Sequence, residues 1–141
     1  MIDPTYSVVA ETPSVEDYLR LRAVCGLSPF SREAAEIGLP RSVFAVQVVH
    51  EGSTIGMGRV IGDGGCFFQV TDIAVDPAHQ GRGLGRAIMT ALMQHVNEKL
   101  PASAYVSLIA DVPANRLYEQ FGFVETAPKS LGMAYRVKPS S

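Results

Sequence analysis

The chain has no tryptophan, only two cysteines and three histidines, and just 18% of its 141 residues are charged. Cys25 and Cys66 lie far apart without a neighbouring Cys or His, so they do not form a metal framework, and no metal site is expected. Both are read as free thiols in a reducing compartment. Long apolar runs are missing as well. Nothing approaches the ~18 consecutive residues that cross a bilayer. The start of the chain, with Asp3, Pro4 and Thr5, lacks the basic segment and apolar run of a secretory signal. Membrane association is therefore not expected, and the cytoplasm is the expected location. Charge of one sign is also scarce: 12 Lys and Arg against 14 Asp and Glu give a formal net charge of −2. That balance offers no broad basic surface, so nucleic acid is not an expected partner.

What is present suits one globular domain, residues 1–141, with 47% hydrophobic residues. Residues 5–10 read as a short strand. Ser14 reads as a helix cap ahead of Val15, Tyr18, Leu19, Leu21 and Arg22 at helical spacing, and Gly26 ends that helix. Ser31 caps a second short helix that Gly38 and Pro40 stop. Residues 43–50 and 54–61 form a hairpin, with Gly56 and Gly58 allowing a close approach or a bulge. Residues 66–75 make the next strand. Ile88, Leu92, Val96 and Leu100 recur every fourth position and mark a long amphipathic helix over residues 84–100. Residues 104–110 read as a strand, Pro113 opens a short helix, and residues 123–126 and 133–137 read as final strands. The alternation implies a mixed α/β fold around one sheet.

The most informative stretch runs from Val75 to Arg86, between a strand and a helix. Gly81, Gly83 and Gly85 let backbone turn sharply and approach a ligand closely. The first helical amides lack internal partners and carry the positive end of the helix dipole, so the corner suits pyrophosphate, with Arg82 and Arg86 adding charge. The dinucleotide fingerprint G-x-G-x-x-G fails, because Arg86 and Ile88 stand where its last glycine would fall. The nucleotide-triphosphate loop fails for want of a Gly-Lys pair. Q-x-x-G-x-G is met by Gln80, Gly83 and Gly85.

With the run Ile73-Ala74-Val75-Asp76-Pro77 before it and Leu117-Tyr118-Glu119-Gln120-Phe121-Gly122-Phe123 after it, this pattern resembles the GNAT superfamily of acetyl-CoA-dependent N-acetyltransferases. The resemblance covers essentially the whole chain. It implies a mostly antiparallel mixed sheet of six to seven strands flanked by about four helices. It implies that backbone amides of Gly81, Arg82, Gly83, Leu84, Gly85 and Arg86 hold the pyrophosphate of acetyl-CoA, with Gln80 part of the motif. Backbone groups of Ile73, Ala74 and Val75 would pair with the pantetheine arm as if it were an added strand.

The resemblance further implies acetyl transfer to an amine of a small molecule or peptide, directly within a ternary complex. Tyr118 stands where relatives place the acid that protonates the leaving thiolate, and a phenol with a pKa of about 10 can serve. Asp111 stands where many relatives have Asn against the cofactor arm, and capping the helix near Pro113 is its alternative role. Asp72 would contact the cationic acceptor or order the water that deprotonates it. A structural hydrogen bond explains it as well, since an acid in an apolar strand is costly without a partner. Gln69 replaces a general-base Glu of some relatives and cannot act as a base. Phe30, Arg59, Phe68, Gln69 and Ser107 are candidate acceptor contacts, and packing accounts for the aromatics equally well. A homodimer through residues 133–137 is a further implication. A non-catalytic acyl-CoA sensor is the competing reading.

Overall fold

The structure is a computed structural model and describes residues 2–139. It falls into two compact units, one ending at Leu108 and the other beginning at Ile109.

The first unit is built on a five-stranded sheet in the order β1-β2-β3-β4-β5. The strands are β1 (Tyr6–Val9), β2 (Phe44–His50), β3 (Ser53–Gly62), β4 (Phe67–Val75) and β5 (Tyr105–Ser107). The first three ladders are antiparallel and the β4–β5 ladder is parallel. Val43 to Val49 is dense in β-branched side chains, which fit a pleated, half-buried surface. Helices α1 (Val15–Val24) and α2 (Arg32–Gly38) both start where expected. Ser14 Oγ accepts from Asp17 N at 3.1 Å, and Ser31 Oγ accepts from Ala34 N at 3.1 Å. Gly26 at φ 71° follows the end of α1 in the left-handed region that favours glycine. Helix α3 (Leu84–Lys99) buries Leu84, Ile88, Met89, Leu92 and Val96, the stripe its spacing implies.

Strand alternation sorts the packing onto two faces. Met57 joins Tyr18, Leu21, Ala35, Leu39 and Ala74 in a core under α1 and α2. Its neighbour Gly58 faces the other way. A Cβ there would lie 2.6 Å from Ile88 Cγ2 and 2.8 Å from Ile73 Cδ1, so α3 sits directly on bare backbone. Burying each of the large side chains Leu21, Met57, Ile88 and Leu92 contributes about 1.5–3 kcal/mol.

In the second unit, α4 (Asn115–Glu119) starts at Asn115, two residues after Pro113. Its cap is Ala114, so Asp111 does not cap it with a side chain; only the Asp111 carbonyl is used, accepting from Ala114 N at 2.7 Å. The expected count of six to seven strands is corrected to five among the described residues. Residues 123–126 and 133–137 carry no strand, and residues 104–110 shrink to the three of β5. A strand exists only where its backbone pairs with a neighbour, and the β4–β5 ladder ends at Gln69 opposite Ser107.

Gly58→Val is expected to destabilise the protein by about 1–3 kcal/mol through overpacking against α3. Urea denaturation monitored by circular dichroism measures it.

Candidate active site

Two features of the first unit are candidates for a functional site. One is a corner of backbone and the other is a buried cluster of charge.

The corner lies where β4 runs into α3. The β3–β4 ladder shifts register between Met57 and Arg59, so β4 carries an extra residue opposite β3, and Asp72 sits at φ 60°. A bulge of this kind bends its strand. Beyond the pair Gln69 and Ser107, β4 has no ladder partner on its β5 side among the described residues, so residues 70–75 present an open edge there.

The connector from β4 to α3 is braced throughout. Asp76 N donates to Ile55 O at 2.8 Å, and Asp76 Oδ1 accepts from Ala78 N at 2.9 Å. Tyr6 Oη and His79 Nδ1 are hydrogen-bonded at 2.7 Å. Gln80 Nε2 donates to Val75 O at 2.9 Å, and Cys25 Sγ donates to the same oxygen at 3.3 Å. Gln80 therefore stiffens the turn. Gly81 and Gly83 follow at φ 78° and 79°, a conformation that costs other residues about 1–2 kcal/mol. A Cβ at either would meet nothing within 4 Å, so the space in front of them is open. Gly83 is the N-cap of α3 and supplies no side-chain cap; the helix's backbone ladder starts with Ala87 N donating to Gly83 O. The amides of Leu84 and Gly85 precede that bond. Arg82 and Arg86 are exposed on the same turn. Open edge, open glycines and an uncapped helix start together fit an extended amide chain ending in a pyrophosphate.

The charge cluster lies on the α1–α2 face. Asp72 is buried, and both carboxylate oxygens are engaged. Arg22 Nη1 donates to Oδ1 at 2.5 Å, Arg59 Nε donates to Oδ2 at 2.8 Å, and Tyr18 Oη lies 3.0 Å from both. Burial, then the Asp72 charge, push the Tyr18 phenol above its ordinary pKa. Arg22 is held in place by Ser28, whose carbonyl accepts from Nε at 2.9 Å. Arg59 Nη1 donates to Ser42 Oγ at 3.0 Å. The guanidiniums also lie over aromatic rings: Arg22 is 4.4 Å from the Phe30 centroid, and Arg59 is 5.4 Å from that of Tyr18. A cavity of about 170 Å³ opens beside them, lined by Tyr18, Phe30, Ala35, Leu39 and Arg59.

In the second unit Tyr118 is half-buried. Burial, and secondarily the charge of Asp111, raise its pKa, so the phenol keeps its proton at neutral pH. Asn115 Oδ1 is the one sealed side-chain acceptor without a hydrogen-bond partner among the described residues. Such an orphan calls for a donor.

The family model described as the acetyltransferase (GNAT) domain matches residues 41–125, a span that runs through both units. The chain belongs to the GNAT acetyltransferase family. A structure of a protein of unknown function from meticillin-resistant Staphylococcus aureus, named as a probable acetyltransferase, is 48% identical to it with a TM-score of 0.89, covering 94% of this chain and 99% of that one. GCN5-related N-acetyltransferase 2, chloroplastic, of Arabidopsis thaliana is 32% identical over 57% of this chain and 30% of its own length. GCN5-related N-acetyltransferase 1, chloroplastic, of the same plant is 24% identical over 94% of this chain and 74% of its own length. The chain thus spans under a third of the first of these plant proteins and about three quarters of the second.

Within this GNAT chain the site residues expected from sequence divide clearly. Ile73, Ala74 and Val75 lie on the open β4 edge, and Gly81 to Arg86 form the corner beside it. Phe30 and Arg59 line one cavity. Gln69 and Ser107 are register partners at the last β4–β5 pair. Phe68 is buried at 3% exposure and does not line that cavity. Tyr18 and Arg22, placed on α1 by their spacing alone, join the site in the structure. The available signal was Arg22 itself, a charged residue at core-facing spacing on α1, which is tolerable only with a buried counter-charge.

Asp72→Ala removes the one carboxylate that bonds both buried guanidiniums among the described residues. It is expected to cost about 3–5 kcal/mol, read by urea denaturation, with Arg22→Met costing less because Asp72 keeps Arg59.

Proposed function

We propose that the protein is an acetyl-CoA-dependent N-acetyltransferase that moves an acetyl group directly onto a primary amine of a small molecule or peptide. The observation that carries the reading is the α3 corner. Its uncapped helix start and open left-handed glycines adjoin an unpaired strand edge, and family membership supplies the reaction class. When bound, acetyl-CoA brings an acyl group activated as a thioester. The Ile73–Val75 edge is suited to hydrogen-bond the extended arm, and the amides of Gly81 to Arg86 to hold the diphosphate, with Arg82 and Arg86 as nearby charges.

Tyr118 Oη holds the proton that a leaving thiolate needs, and Asp111 helps to keep it there. Asp72 is assigned as a positioning residue. Its oxygens are committed to Arg22, Arg59 and Tyr18, so it orders the cavity wall instead of taking a proton from the amine.

The free state of Cys25 and Cys66 supports a cytoplasmic location. No helix among the described residues is long and apolar enough to cross a membrane. We also propose a homodimer. Leu131, Met133, Tyr135 and Val137 are 73%, 89%, 83% and 85% exposed, apolar side chains that a second copy would cover.

Titration calorimetry with acetyl-CoA is expected to show saturable binding, weakened about tenfold or more in Gly83→Val, where a β-branched residue would occupy the left-handed N-cap. Mass spectrometry of an amine panel is expected to show acetylation. Binding without any transfer would instead favour an acyl-CoA sensor. Tyr118→Phe is expected to lower kcat by about a hundredfold or more while leaving acetyl-CoA binding in place. Both causes of the shift oppose the phenolate, so the wild-type loss of kcat from this group should begin only above the ordinary tyrosine pKa of 10.0. For the dimer, light scattering should report twice the chain mass, and Met133→Asp with Tyr135→Asp should return it to a monomer.

A further inference from the structure

The cavity beside Asp72 carries an imbalance of charge. Arg22 and Arg59 are each 8% exposed, and guanidinium groups stay protonated in proteins. Asp72 is the one carboxylate that bonds either of them among the described residues. The cluster therefore keeps one unit of positive charge in excess, two cations against one anion, in a place where an unmatched charge is expensive.

The excess is not spread evenly. Arg22 is consumed: Nη1 by Asp72, Nε and Nη2 by the carbonyl of Ser28, and Nη2 also by Ser28 Oγ. Arg59 is not. Its Nε is taken by Asp72 Oδ2, and its Nη1 by Ser42 Oγ at 3.0 Å and Gly38 O at 3.4 Å. Its Nη2 has no partner among the described residues. Nor is Nη2 sealed in, because Asn115 Oδ1 is the one atom there that is both sealed and unpartnered. Arg59 lines the cavity of about 170 Å³. A buried guanidinium with an unpartnered Nη2 thus lines a small pocket.

The same wall discourages cations. The rings of Tyr18 and Phe30 are already approached by Arg22 and Arg59. The carboxylate that could have drawn a cationic acceptor has both oxygens engaged. A second ammonium on the acceptor would meet net repulsion.

Resting on the acetyltransferase reading, we propose that the acceptor is a small amine that also carries an anionic oxygen group, carboxylate or phosphate, and that Arg59 binds that group through Nη2. Arg59 is then a specificity-determining residue. Asp72 fixes the plane of its guanidinium, and the ring of Tyr18 backs it.

The test compares acceptors matched except for charge, with acetyl-CoA as donor. β-Alanine is set against β-alaninamide, phosphoethanolamine against ethanolamine, and putrescine stands as the dication. In at least one pair the anionic member should show a kcat/KM about tenfold or more above its neutral counterpart, mainly through KM, and the pair that shows it identifies the anion. Arg59→Met should collapse that ratio towards unity. Should this variant not fold, propionate and inorganic phosphate added to wild type decide instead: the anion matching the preferred pair should inhibit competitively against the amine and not against acetyl-CoA. Neutral amines or putrescine equalling or outpacing both anionic acceptors would overturn the proposal and leave the acetyltransferase reading standing. If no amine is acetylated, that reading falls by itself. Calorimetry of the coenzyme A-loaded protein with β-alanine and phosphoethanolamine then judges the site: saturable binding of either, lost in Arg59→Met, upholds it, and no heat from both overturns it.

Discussion

The first unit is organised around one carboxylate. Asp72 on β4 draws in Arg22 from α1 and Arg59 from β3, and Arg59 reaches on to Ser42 ahead of β2. Helix α1 is thereby tied to the sheet by charge as well as by apolar contact, beside the bond from Arg20 Nη2 to Thr54 O at 2.7 Å. The arrangement is costly, because each ion gives up water, and it is recovered only when every partner is in place. The residue carrying this charge also carries the backbone distortion, since Asp72 sits at φ 60° within the bulge. Aspartate tolerates that conformation better than most side chains. Two constraints, one electrostatic and one conformational, therefore fall on the same position.

Much of this is legible in the amino-acid sequence. Ser14 and Ser31 announced helix starts because a cap is a local matter between a hydroxyl and an amide three residues on. The apolar stripe of α3 was legible because it repeats at the helical period. Gly58 signalled a close approach, and α3 makes it. The late strands did not follow the same logic. Residues 104–110 are apolar enough for a strand throughout, yet β5 keeps only the part that faces β4 before the two separate. Pairing is a property of the neighbour as much as of the segment, and a single segment's composition does not contain it.

The two halves of the candidate site differ in the same way. The bare backbone of the α3 corner was readable because glycine marks the left-handed positions at Gly81 and Gly83. The acceptor side depends on which charges meet. Asp72 could be flagged as an acid needing a partner, but its partners come from 50 and 13 positions away in the chain. Only the fold reveals that the acid is outnumbered by the bases around it, which reverses the expectation of a pocket for cations.

The connection between β4 and α3 has one more consequence. Because β5 runs parallel to β4, the chain must cross over through a helix, and that helix has to begin at the end of the sheet where β4 stops. The short braced connector from Asp76 to Gly83 therefore works as a ruler, holding the unpaired edge and the positive helix terminus a set distance apart. A molecule that engages both must have an arm of matching reach between its amides and its anion. On the proposed reading, length is discriminated by the spacing of main-chain groups, which the side chains of Gln80 and His79 help to hold.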